Sequence, residues 1–147
     1  MLFRSVRCAE ILESEDDESV KIAAVQSLQA IGGDSVPALI SAIRSKRYRR
    51  WDEDHIYHAI AEALGILARE SDEALTALVE EVKNPAGLGH VFGAMRALGG
   101  LGPRAQPATT GLVMLSKDDD LDIRIAAKGA LIKIVGDDRY GKSDWSA

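Results

Sequence analysis

Val20-Lys21-Ile22-Ala23-Ala24-Val25-Gln26-Ser27-Leu28 and Ile123-Arg124-Ile125-Ala126-Ala127-Lys128-Gly129-Ala130-Leu131 are two copies of one pattern: a basic residue, an alanine three positions on and a leucine four further. Two looser copies lie between them, one from Ile56-Tyr57 through Ile60 to Leu64, the other from His90-Val91 through Ala94 to Leu98. The leucines at 28, 64, 98 and 131 are 36, 34 and 33 residues apart, a period that fits a repeating helical hairpin. Val20, Ala24, Leu28 and Ile31 step by four, four and three and therefore share one face of a helix. A second apolar triplet follows each of the first three leucines: Ala38-Leu39-Ile40, Ala77-Leu78-Val79 and Gly111-Leu112-Val113. These triplets mark partner helices, so each repeat pairs a first helix, A, with a second, B.

Boundary residues support the same division. Asn84-Pro85 predicts the N-cap and first turn of the third A helix, because proline needs no hydrogen-bond partner there. Gly102-Pro103 is expected to open the third B helix and Ser71-Asp72-Glu73 the second, while Gly32-Gly33-Asp34 separates the first pair. No stretch alternates with the period of two that a half-buried strand requires, which makes the chain all-α.

The Asp-rich turn, the Val/Ile-Arg/Lys-x-x-Ala-x-x-x-Leu helix and the closing glycine of Asp16 to Gly32, and again of Asp118 to Gly136, resemble HEAT repeats of the short kind found in phycobilisome lyases. The resemblance implies an α-solenoid of three and a half to four repeats, with A helices on the convex side and B helices on a concave side that commonly binds a partner. It implies no reaction. The middle copies depart from the pattern, since Ile60 replaces the alanine and neither carries a basic residue in the arginine slot. The division expected is an N-terminal helix over 1–15, a repeat domain over 16–136 and a polar tail over 137–147.

A repeat buries its apolar face only against a neighbour. Val6, Ala9 and Leu12 are expected to supply an N-terminal covering helix; the polar segment from Asp137 to Ala147 offers no equivalent. The ends are therefore expected to promote self-association, and the fourth A helix is either a poor cap or one half of a hairpin in a longer solenoid. Met1 to Ser5 reads as a translated sequencing-adapter tail and is set apart from functional reasoning.

The 147 residues are 46% hydrophobic and 28% charged with a net charge of −5, the composition of a globular domain and a poor match to a surface built throughout for nucleic acid. The lone Cys8 forms no internal disulfide, and the chain is expected to be cytoplasmic and to contact no membrane. No cofactor, metal or catalytic constellation is expected. Gly136 to Ser143 spells G-x-x-x-x-G-K-S, but a helical repeat precedes it where a phosphate-binding loop needs a strand, and Asp137 and Asp138 would repel phosphate. Gly87, Gly89 and Gly93 are one residue too widely spaced for a dinucleotide fingerprint and read instead as close helix packing. His55, His58 and Glu62 share roughly one helix face, but with no second ligand cluster they read as a solvated surface.

One segment breaks the repeat. The connector from Leu39 to Leu64 is five to six residues longer than its two counterparts and holds Arg44, Lys46, Arg47, Tyr48, Arg49, Arg50 and Trp51. Five of the 18 basic residues and no acidic one fall within 44–50, leaving 13 basic against 23 acidic residues in the rest of the chain. This segment is the candidate binding site: its cations suit a polyanion and its aromatics suit stacking, although Trp51 equally suits a hydrophobic staple on Ile56 beside an Asp52 N-cap. Three functions follow from the sequence: a non-enzymatic scaffold that binds a protein partner, a nucleic-acid or polyanion binder acting through residues 44–51, and a bilin lyase-like enzyme on resemblance alone.

Overall fold

The computed structural model describes residues 2–14, 17–45, 54–85 and 88–136, and among these every regular element is helical. In chain order they are α1 (Leu2–Ser14), α2 (Glu18–Ile31), α3 (Val36–Arg44), α4 (Asp54–Leu67), α5 (Asp72–Lys83), α6 (Leu88–Leu101), α7 (Thr109–Leu115) and α8 (Leu121–Val135). Helices α2, α4, α6 and α8 pack successively on one another, and so do α1, α3, α5 and α7, giving the two layers of an α-solenoid.

The core lies between the layers. Leu28, Leu64, Leu98 and Leu131 are fully buried on the A side, facing Leu39, Leu78 and Leu112 from the B side, also fully buried. The repeat register read from the leucine spacing is thus the register of the core. Helix α1 packs on both α2 and α3 and so takes a place in the B layer. It does so on a different stripe from the one expected. Leu12 is buried and Cys8 and Ile11 are half-buried against the core, whereas Val6 is 50% exposed. Val6, Ala9 and Leu12 step by three twice and drift around a helix of 3.6 residues per turn; Cys8, Ile11 and Leu12 hold one face.

The turns follow local chemistry. Asp17 caps α2 by accepting from the amides of Ser19 and Val20, Ser71 caps α5 by accepting from Ala74, and Asp120 caps α8 by accepting from Asp122 and Ile123. Gly32 (φ 90°), Gly102 (φ 59°) and Gly136 (φ 69°) close three A helices in a conformation that side chains rarely adopt. Two starts differ from expectation. Asn84 is the C-cap of α5, its amide donating to the Glu80 carbonyl, because burial of Val82 carries α5 through that turn; the described part of α6 is Leu88–Leu101. Gly102-Pro103 opens a 3₁₀ segment, Gly102–Ala108, and α7 starts at Thr109. Pro107 has no N–H to offer the carbonyl four residues back, so the α-helical ladder waits until that residue is passed.

Small residues set the spacing of the A layer. A Cβ on Gly65 of α4 would lie 2.9 Å from the Ala97 Cβ of α6, and one on Gly93 would lie 3.0 Å from His58 Nδ1. Gly93 therefore serves the close packing that its sequence suggested. Gly129, inside α8, has nothing within 4 Å of such an added carbon.

Two substitution pairs test this architecture. Leu28→Ala and Leu64→Ala should each destabilise by about 2–5 kcal/mol in urea melts, the range for core truncations; losses under about 1 kcal/mol at both would refute the register. Gly65→Ala should cost about 1–3 kcal/mol by forcing α4 and α6 apart. Gly129→Ala should instead stabilise by roughly 0.5–1 kcal/mol, as expected for a helix-interior glycine with free space around it. Equal signs at the two glycines would contradict the packing described.

Candidate interaction surface

The surface available to a partner follows from which positions the packing leaves open. On the B layer, Ser41 of α3, Glu80 of α5 and Met114 of α7 each lie two residues beyond a fully buried leucine, and all three are exposed. Met114 is 70% exposed, the most exposed large apolar side chain among the described residues. Their equal offset from those leucines makes them equivalent positions of the B helices, with α3 packed on α5 and α5 on α7.

The B layer also has relief. Between α1 and α3 lies a groove of about 690 Å³. Its apolar lining comes from Val6, Ala9, Leu12, Pro37, Ala38 and Ala42. Among the described residues its charged lining consists of Glu10 and Glu13 from α1 and Asp34 from the turn before α3. An adjoining recess of about 540 Å³ continues past Ile40 and Ser41 to Arg44 and Glu73. In the sequence Asp34 reads only as part of a turn, and Glu10 and Glu13 as surface acids. The signal was present in the spacing of Glu10 and Glu13, but it becomes a rim only once α1 is known to lie beside α3.

The A layer offers a smaller recess of about 170 Å³ between α4 and α6. Gly65, Gly93 and Ala97 form part of its lining, with His58, Glu62, Arg69 and Arg96 around them, so this recess carries charges of both signs. His55 does not join that set: its Nε2 lies 3.1 Å from Glu18 Oε1 on α2, on an exposed surface. Among the described residues no three His, Cys, Asp or Glu side chains converge as metal ligands, and no helix is long and apolar enough to cross a membrane.

Polar side chains lock the layers and turns. The Tyr57 hydroxyl donates to Glu81 Oε2 at 2.9 Å, joining α4 to α5 through a buried carboxylate. Arg104 donates through Nε to the Ala68 carbonyl at 2.6 Å and through a terminal nitrogen to Asp72 Oδ1 at 2.9 Å, tying the third B segment to the preceding turn. Arg124 donates to the carbonyls of Asp118 and Asp119 and braces the turn before α8. Glu81 points inward, toward Tyr57 on the A helix, while its neighbour Glu80 is exposed.

Of the candidate binding residues in the basic connector, Arg44 is exposed at the end of α3. Lys46, Arg47, Tyr48, Arg49, Arg50 and Trp51 lie outside the described residues, as do the Asp52 cap and the tail that carries Lys142 and Ser143.

A family model described as the PBS lyase HEAT-like repeat matches residues 20–45, which span α2, its turn and α3. The match supports a HEAT-like repeat family, in agreement with the resemblance seen in the sequence. The search of curated proteins and the search of solved structures returned no match.

The interlayer bond gives a further test. Tyr57→Phe should lower stability by about 1–3 kcal/mol, since a buried carboxylate loses a hydrogen-bond donor. Thermal melts of Tyr57→Phe indistinguishable from those of the original chain would show that the bond contributes nothing.

Proposed function

We propose that the chain is a non-catalytic interaction module, a scaffold that presents its B-layer face to a protein partner. The observation that carries this reading is the in-register exposure of Ser41, Glu80 and Met114 along three packed helices, ending on an apolar side chain that the fold leaves uncovered. The HEAT-like match supports it, because such repeats are helical modules that commonly bind other proteins. No described contact favours the polyanion reading of residues 44–51 or a lyase activity.

The face is testable by placing a photo-crosslinking amino acid at single positions and irradiating in extract of the native cell. Crosslinks to protein are expected from positions 41, 80 and 114 and not from Gln26, Glu62 or Arg96, exposed on the A helices. Crosslinking from the A positions alone would reverse the assignment of the binding face.

A further inference from the structure

We infer that copies of this chain stack head to tail, the open flank of α8 in one copy seated on the open flank of α2 in the next, so that the A layer runs on through the joint. The inference concerns the ends of the solenoid and stands apart from the B-layer face. It starts from how the A helices meet within one chain. Counting from each anchoring leucine, the positions six before and one after turn toward the following A helix, and the positions five and one before turn back toward the preceding one. On α4 the forward pair is His58 and Gly65, and on α6 the backward pair is Gly93 and Ala97: a Cβ on Gly93 would lie 3.0 Å from His58 Nδ1, and one on Gly65 would lie 2.9 Å from the Ala97 Cβ. The next joint repeats the scheme, with Phe92 and Gly99 of α6 and Ala126 and Ala130 of α8 lining one recess. The backward positions are thus small at both joints and receive the forward positions of the helix before.

The same two sets stand open at the ends. On α8 the forward pair is Ile125 and Ile132; Ile125 is 37% exposed, and Leu121, one turn before it, 56%. Lys128 lies between the two isoleucines, a residue whose long stem can follow apolar surface while its charge reaches water. On α2 the backward pair is Ala23 and Ser27, small like their counterparts but exposed where Gly93 and Ala130 are buried. Apolar residues thus occupy the core side of α8, its α6 side and its open flank, the pattern of a helix that packing covers all round. The order of the helices completes the match. Helices α2, α4 and α6 each pack on a B segment before and after them, whereas among the described residues α8 packs only on the one before. In a second copy α1 precedes α2 in the B layer, so it arrives where α8 lacks that neighbour. A second copy is the occupant because each chain carries both halves of the joint in the register its own A helices use. Such a joint is heterologous and continues past two copies unless its rotation closes a ring.

The test is analytical ultracentrifugation of the full chain. The weight-average mass of the original chain should rise with concentration past that of a dimer. Ile125→Glu and Ala23→Glu each place a charge in the joint, and each should weaken self-association about tenfold or more, because a charge buried without a partner is costly. Both positions are exposed in the single chain, so the fold should tolerate the changes; circular dichroism checks this, and Leu121→Glu or Ser27→Glu replaces a variant that fails to fold. Mixed one to one, the two variants should form a heterodimer and go no further, since the mixture holds one intact α8 flank and one intact α2 flank. A strict monomer for the original chain at every concentration overturns the inference, and so does a variant mixture that stays monomeric. Self-association of Ala23→Glu at the original strength, with Ile125→Glu monomeric, would show a two-fold joint of α8 on α8 and overturn the head-to-tail arrangement.

Discussion

A single helical hairpin of this chain has an apolar face that its own two helices cannot cover, and the structure depends on how closely neighbouring hairpins approach. The approach is closest between α4 and α6, where Gly65 meets Ala97 and Gly93 meets His58. Glycine in a helix interior costs roughly 0.5–1 kcal/mol relative to alanine. Here that cost is offset by contact across the helix pair, because dispersion falls off steeply with a gap of even 1 Å. The same economy recurs in the B layer, where a Cβ on Gly111 of α7 would lie 3.2 Å from Val82 on α5.

Close stacking demands turns that do not wander, and one helical position shows how this chain meets the demand differently in each copy. Seven residues before the anchoring leucine stand Lys21, Tyr57, Val91 and Arg124. Arg124 reaches back to the carbonyls of its own turn, Tyr57 reaches across to Glu81, and Val91 is simply buried. The third copy has no polar group at that position, and its bracing comes from elsewhere in sequence: Arg104 holds the Ala68 carbonyl and Asp72. The degenerate middle repeats are therefore not weaker versions of the outer ones; they are held by different side chains.

What the sequence made legible was whatever repeats. The leucines, the B-helix triplets and the Asp caps eleven residues before Leu28 and Leu131 keep a fixed spacing and are found where that spacing puts them. Single events were harder to read. The cap assigned to Asn84 failed because burial of Val82 outweighed a local Asn-Pro signal, and the opening of the third B helix was delayed by Pro107. The face of α1 was misread because a single helix of this length offers two overlapping stripes, and only contact with α2 and α3 selects between them. The groove rim was hidden for the same reason: Glu10, Glu13 and Asp34 are ordinary surface acids until α1 takes its place in the B layer.

The two faces of the solenoid differ in what they leave open. On the A side, small residues bring the helices together and leave a recess of mixed charge between α4 and α6 and another of about 390 Å³ between α6 and α8, lined in part by Arg96 and Lys133. On the B side, the proline-shortened third segment and the placement of α1 leave relief: a broad groove at one end and the exposed Met114 at the other. Between them lie Ser41 and Glu80, neither apolar nor cationic. A partner seated on this face would gain most where an apolar side chain such as Met114 is already uncovered, since burial of apolar surface acts mainly on the rate of escape.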